Sequence, residues 1–259
     1  MSGRHFLVIG GQRCGTTYLH SLLDAHPGVT MARPARPEPK VFLSDELTDR
    51  GVEWYDATFF GHAVPGQLLG DKSTSYLEDP AAPARARRML GDPGVVVLLR
   101  DPVERAVSNW RFSTDHGLET RSAEEALAAN LVEQVTWDPE VSSVSPFAYL
   151  ERGRYVDHLT PWLEEFPGTH VVFLPELLDD ETTLPRLLEA LGADASFVPT
   201  GPDTPVNRSE AAPPRLSEQL RERLDDYFAE SDAALARLLG RDLPWSRAAH
   251  PAGGGHHVA

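Results

Sequence analysis

Gly10–Gly11–Gln12–Arg13–Cys14–Gly15–Thr16–Thr17 is the segment whose residue types and spacing most directly imply chemistry. Glycines permit a tight turn, the N–H groups at a helix start point toward an anion, and the hydroxyls of Thr16 and Thr17 add two donors. The register narrows the choice of anion. A nucleotide-phosphate loop of the form G-x-x-x-x-G-K-[ST] needs lysine directly after its second glycine. Gly10 and Gly15 keep that spacing and Thr17 fills the last slot, but Thr16 stands in the lysine position and the cation is Arg13, three residues earlier. ATP or GTP chemistry, which places that lysine on the outer phosphates, is disfavoured. A Cys-x5-Arg phosphatase loop starting at Cys14 is excluded because position 20 is His20. Cys14 itself reads either as a thiol of lowered pKa at a helix start or as a small side chain packed in a turn, and the second reading is preferred.

Three further segments carry candidate groups. In Val95–Val96–Val97–Leu98–Leu99–Arg100–Asp101–Pro102–Val103–Glu104–Arg105–Ala106–Val107–Ser108, Arg100 falls where a buried strand ends. Its guanidinium can there fork onto a phosphate, and Ser108 follows about two turns into the next helix. Lys72, in Gly70–Asp71–Lys72–Ser73–Thr74–Ser75–Tyr76–Leu77, follows a weaker strand. Glu38, in Pro37–Glu38–Pro39–Lys40–Val41–Phe42, sits in a loop stiffened by proline, where fixed geometry suits a general base. Of the 24 cationic residues only Lys40 and Lys72 are lysine. The scarcity makes both positions informative.

Together these motifs resemble the PAPS-dependent sulfotransferases, which use 3′-phosphoadenosine 5′-phosphosulfate (PAPS). The pattern strand-G-x-x-[RK]-x-G-T-T-helix is similar to their 5′-phosphosulfate loop, and Ile9–Thr16 in particular to that of the heparan sulfate N- and 3-O-sulfotransferases. Those carry Lys where this chain has Arg13, while tyrosylprotein sulfotransferases carry Arg. The strand-R-D-P-x-x-R-x-x-S run resembles the family's 3′-phosphate element. Asp71–Lys72 resembles its E-K-[ST] segment with Asp for Glu, and Glu38 its K-E-x-H-F-F segment, with Lys40 for the His and Val41 for one Phe. The resemblance runs in order over roughly residues 5 to 245 and is sharp only in the phosphosulfate loop and the R-D-P-x-x-R-x-x-S run.

The resemblance implies a P-loop NTPase-like fold and a donor held by Gln12, Arg13, Cys14, Gly15, Thr16 and Thr17 at the phosphosulfate, and by Arg100 and Ser108 at the 3′-phosphate. Arg208, in the loop around Asn207–Arg208–Ser209, would close over the nucleotide. Glu38 would be the catalytic base, with Arg13 and Lys72 stabilising charge on the leaving oxygen. The expected reaction is in-line sulfuryl transfer, without a metal, to a hydroxyl or amine of a small-molecule, sugar or lipid acceptor. Two other readings stay open: a P-loop small-molecule kinase using ATP and Mg²⁺, and a non-catalytic nucleotide-binding protein.

The elements that must position these groups alternate. Apolar runs at 6–11, 68–71, 94–99 and 170–174 read as strands, and 16–25, 122–133, 152–166 and 184–191 as helices, with closing helices over 216–239. Three prolines keep 34–39 irregular, and 200–214 reads as a long loop. Strands alternating with helices predict a single-domain, three-layer α/β/α fold with a central parallel sheet, whose ligands bind at the carboxyl ends of the strands. The expected domain spans 1–250, with a disordered tail at 251–259. Trp110, Phe112, His116 and Tyr76 are candidates to line an acceptor pocket, although packed aromatics are the commoner reading.

The bulk numbers agree. A chain of 259 residues, 41% hydrophobic and 24% charged, suits one large α/β domain. Its net charge of −15 weighs against nucleic acid or an acidic polysaccharide as partner. No apolar run is long enough to span a membrane, the few residues before the first strand leave no room for a signal peptide, and the one cysteine fits a reducing compartment, so a cytoplasmic location is expected. The histidines share no metal-ligand spacing, and no metal is expected. Arginine in place of lysine, with abundant alanine and proline, fits a GC-rich bacterial genome and a secondary-metabolite acceptor. Oligomeric state is not addressed by the sequence.

Overall fold

A computed structural model of the protein describes residues 4–133, 137, 145–198 and 214–246. The run His5–Gly10 is buried along its whole length and forms the central strand β1. It is followed by helix α1 (Thr16–Asp24), strand β2 (Val29–Met31) and helices α2 (Asp45–Thr48) and α3 (Val52–Phe59). Strand β3 (Leu68–Lys72), helix α4 (Ala82–Leu90), strand β4 (Gly94–Leu99) and helices α5 (Pro102–Asp115), α6 (Ala123–Asn130) and α7 (Tyr155–Glu165) come next. Strand β5 (His170–Phe173) leads into α8 (Leu174–Asp179), α9 (Thr183–Leu191) and the 22-residue α10 (Glu218–Leu239).

All four strand pairings are parallel, in the order β2-β3-β1-β4-β5. Successive residues of a strand face opposite sides of the sheet, so a sheet covered on both faces needs apolar residues at every position. Leu7 and Ile9 with Val95, Val97 and Leu99 pack against Tyr55, Ala82, Leu159, Trp162 and Leu235 of α3, α4, α7 and α10. Phe6 and Val8 with Val96 and Leu98 pack against Leu19, Leu22 and Leu23 of α1 and Leu187, Leu188 and Leu191 of α9. This is the expected three-layer arrangement. The chain leaves β1 toward the α1 face and β3 toward the α4 face, which opens a crevice at their carboxyl ends.

A third cluster joins α5, α6 and α10 through Val103, Ala106, Leu127, Tyr149, Leu224 and Phe228, and fixes α5 beyond the end of β4. The region expected to supply closing helices is one helix, capped by the Ser217 hydroxyl and ended by Gly240 at φ 64°. The strand β2 and the helices α2, α3 and α4 add elements that periodicity did not mark. No helix among the described residues is long and apolar enough to cross a membrane. The expected 200–214 loop, except Pro214, and the 251–259 tail lie outside the described residues.

Candidate active site

The first loop is pinned by the Gly11 N–H, which donates to the Leu98 carbonyl of β4 at 2.7 Å. Gly15 ends the loop at φ 90°, a conformation that favours glycine, and a Cβ there would stand 2.7 Å from Leu174 Cδ1, which would have to shift. α1 then opens with no side-chain cap and no acidic residue in its first turn. Its first N–H groups have no carbonyl partner within the helix, which leaves an uncompensated positive end at Thr16 and Thr17. Cys14 is fully buried, and burial pushes its thiol pKa up. The Tyr155 hydroxyl donates to the Arg100 carbonyl at 2.9 Å, and the Cys14 thiol lies 3.4 Å from that hydroxyl and 3.7 Å from the Gln12 carbonyl. Cys14 is therefore a packed thiol that ties this loop to the end of β4. Gln12 is engaged on both sides: Arg152 Nη1 donates to its oxygen at 3.1 Å, and its own amide donates to Ser75 at 3.4 Å.

At the end of β4, Asp101 accepts from the N–H groups of Val103 and Glu104 and so neutralises the start of α5 itself. The cationic groups there are side chains. Arg100 Nη1 donates to the Arg13 carbonyl at 3.4 Å, and Arg13 Nε donates to Ser108 Oγ at 3.3 Å. The Arg13 guanidinium lies 4.9 Å from the Phe112 ring centroid, and the backbone at Arg13 is left-handed, with φ 66°. A non-glycine residue holds that conformation only when its surroundings impose it. Burial, and then the charges of Arg105 and Arg100, lower the Arg13 pKa. Arg13, Arg100 and Ser108 thus form one cluster, with the Arg13 head directed toward α5.

The second cluster lies at the end of β3. Lys72 Nζ donates to Glu38 Oε1 at 2.5 Å, while the other Glu38 oxygen accepts from the Thr74 N–H at 2.9 Å and the Thr74 hydroxyl at 3.1 Å. Below this pair Asp71 is wholly buried and accepts three hydroxyl hydrogen bonds, from Tyr55, Tyr76 and Ser73, each 2.8 Å long. Burial raises its pKa to about 6 even so. Ser73 in turn accepts from the Lys40 N–H at 3.0 Å, and Lys40 takes a left-handed φ of 53°. This chain of contacts holds the proline-rich loop, and with it Glu38, over the crevice. His20, one turn beyond Thr16 on α1, lies within reach of the Lys72 and Glu38 charges. Burial first, then Lys72, lowers its pKa to about 4.

The sequence placed Tyr76 among possible pocket walls. Its side chain instead is fully buried beneath the Lys72 segment, because its hydroxyl is spent on Asp71. Trp110 donates to the Arg121 carbonyl and packs in the α5–α6 cluster, whereas Phe112 is 39% exposed, with the His116 ring tilted against it at 4.0 Å. Arg208 lies outside the described residues. Sequence reasoning gave no role to Thr74, Ser73, Tyr55, Tyr155 or Arg105. The only signal for Arg105 was its place in the R-D-P-x-x-R-x-x-S run. Among the described residues there is no group of three or more His, Cys, Asp or Glu side chains arranged to hold a metal ion.

A parallel sheet with an uncapped helix start behind its central strand, and cations gathered beyond two neighbouring strands, defines an α/β protein built to bind an anionic ligand. The chain belongs to the sulfotransferase domain family, whose model matches residues 3–175. It is 26% identical over 262 residues to the bifunctional heparan sulfate N-deacetylase/N-sulfotransferase 1 of Caenorhabditis elegans, covering 91% of this chain and 30% of that protein. It is also 26% identical to the mouse heparan sulfate glucosamine 3-O-sulfotransferase 3B1, covering 92% of this chain and 64% of the other. The chain thus spans under a third of the first relative and just under two thirds of the second. In fold it is similar to a sulfotransferase crystal structure from Alicyclobacillus acidocaldarius, with a TM-score of 0.76 at 24% identity over 94% of this chain and 98% of that one.

Proposed function

We propose that the protein transfers a sulfuryl group from PAPS to a hydroxyl or amine of a small-molecule, sugar or lipid acceptor. The observation that carries this reading is the pair of clusters flanking one oxyanion loop, Lys72–Glu38 at one side and Arg13–Arg100–Ser108 at the other. A donor with a phosphosulfate on the 5′ oxygen and a phosphate on the 3′ oxygen of one ribose suits two such positions. Arg13, with its backbone in the loop and its head on Ser108, bridges them.

In the reaction the acceptor oxygen or nitrogen bonds to sulfur as the bond from sulfur to the 5′-phosphate oxygen breaks. Glu38 takes the acceptor's proton, and the charge left on the phosphate oxygen meets Lys72 and the N–H groups at the start of α1. Each such contact is worth about 10²–10³ in rate when it tightens in the transition state. Relatives named for heparan sulfate raise a polysaccharide acceptor, but a net charge of −15 repels a long polyanion. A secondary metabolite in a GC-rich bacterium suits the composition better. The single cysteine fits a cytoplasmic enzyme.

The test is incubation with sulfur-labelled PAPS and a cell extract, alongside thermal shifts with the product nucleotide, 3′-phosphoadenosine 5′-phosphate (PAP), and with ATP–Mg²⁺. PAP should raise the melting temperature, ATP–Mg²⁺ should not, and label should pass to an acceptor. A shift with ATP–Mg²⁺ alone would point to a kinase. A PAP shift without a labelled product from any acceptor would point to a binding protein.

A further inference from the structure

Arg105 is fully buried, one turn before Ser108 on α5. Its Nη1 donates to Asn109 Oδ1 at 3.2 Å, and its Nη2 to the Ala148 carbonyl at 3.3 Å and to the Tyr149 carbonyl. Nε is buried with no hydrogen-bond partner. Among the described residues no carboxylate forms an ion pair with it. Buried Arg152, by contrast, is paired with Glu78 at 2.9 Å. An arginine without a counter-ion in a dry site is costly, and its removal from water is offset only by an opposite charge or a full set of hydrogen bonds. Arg105 has neither.

Its neighbours explain where the missing charge belongs. Arg105 is the strongest charge acting on Arg13, ahead of Arg100. Among the described residues Arg100 has one ion pair, with Glu104 at 3.8 Å. Among the described residues that is the one ion pair within 4 Å made by the three guanidinium groups, while Asp115 and Glu78 act on Arg13 and Arg105 from farther away. Part of Arg105's work is structural: with Asn109 and Ser113, which donate to the Pro146 carbonyl at 3.0 and 2.6 Å, it clasps the 145–149 segment onto α5. A clasp to carbonyls needs donors, however, and does not need an unpaired positive charge.

We propose that Arg105 is a positioning and specificity residue whose buried charge, acting through Arg13 and Arg100, makes this end of the site select a ligand carrying a doubly charged phosphate there. The inference rests on the reading of PAPS as donor. It adds that discrimination between nucleotides with and without a 3′-phosphate is set partly by a residue that touches neither. Low dielectric and exclusion from water let a charge act at that remove.

The experiment is calorimetric titration of the full chain with PAP and with adenosine 5′-phosphate, which lacks the 3′-phosphate. The variants are Arg105→Gln, Arg105→Lys and Ser113→Ala. Wild type should prefer PAP by about 100-fold or more, and Arg105→Gln should cut that ratio by about tenfold while leaving the weaker ligand's affinity within about threefold. Arg105→Lys, which keeps the charge and disturbs the clasp, should keep most of the ratio. Ser113→Ala, which loosens the clasp alone, should leave it unchanged. An unchanged ratio in Arg105→Gln overturns the inference, as does an equal loss for both ligands. If Arg105→Gln does not fold, Arg105→Lys decides: a ratio near wild type supports a charge role, and a collapsed ratio refutes it. A wild type with no preference for PAP removes the donor reading, and this inference falls with it.

Discussion

Lys72 Nζ lies 2.5 Å from Glu38 Oε1, across 34 residues of sequence, and the two side chains are only 8% and 16% exposed. The proposed base and the cation of the transfer centre are thus one unit at rest. Removing Lys72 strands a carboxylate, while removing Glu38 frees a lysine beside the oxyanion loop. Glu38→Gln and Lys72→Met should each lower kcat by at least about tenfold, and the double variant should fall little below the worse single one, because groups acting as a unit are not additive. Initial rates with labelled PAPS check this. Unchanged turnover in Glu38→Gln removes it as the base.

Arg13 contacts Ser108 and Phe112 rather than the Lys72 pair. Its loss should therefore weaken nucleotide binding as well as turnover. Arg13→Ala should raise the Kd for PAP by about tenfold or more, in line with the loss of a charge-assisted contact. Arg13→Lys, which lacks both the Nε donor and the planar stack, should recover only part of it. A drop in kcat at unchanged PAP affinity would instead confine Arg13 to the leaving oxygen.

The loop separates a position that favours glycine from one that need not be cysteine. Gly15→Ala meets both a φ of 90° and Leu174 Cδ1 at 2.7 Å, and should cost about 1–3 kcal/mol in stability. Cys14→Ala loses thiol contacts to Tyr155 and to the Gln12 carbonyl and should keep most of the activity. Its burial and raised pKa predict slow reaction of the native thiol with Ellman's reagent, and complete reaction once guanidinium unfolds the chain. Fast labelling of the native protein would contradict the packed reading.

The strands β1, β4 and β5 were readable because a parallel strand covered on both faces must be apolar throughout, as Val95–Leu99 is. β2 escaped because three residues make no pattern. α4 escaped because its buried face is Ala82, Pro83 and Ala86, small residues that close packing against the sheet requires but that carry little hydrophobic signal. Within the site, the loop and the Arg100–Ser108 run showed in local spacing. The support beneath Lys72 did not, since Tyr55 and Asp71 meet only after α3 folds against β3. Nor did the burial of Arg105, which depends on the 145–149 segment covering α5.

Asp71 gives that support a pH signature. Its folded pKa is raised from 3.8 to about 6, by burial above all, against the pull of its three hydroxyl donors. A folded pKa above the unfolded one means the native state holds the proton more tightly between these values. The stability this confers is fully present below about pH 3.8 and is lost as pH rises through 6. His20 acts in the opposite sense over an overlapping window. Its pKa is lowered from 6.5 to about 4, so the unfolded chain takes up the proton first and stability falls as pH drops through that range. A single melting curve against pH mixes the two. Subtracting wild type from Asp71→Asn isolates the aspartate, because the variant keeps His20. The difference in unfolding free energy should move in the variant's favour by about 2 kcal/mol between pH 4 and 7, whatever constant cost the amide brings. Tyr76→Phe removes one donor from the ionised form, so its own loss of stability should be larger at pH 7 than at pH 4, by about 1–2 kcal/mol. Urea unfolding at half-unit pH steps measures both, and a flat difference for Asp71→Asn would mean that the buried carboxyl is already ionised at pH 4.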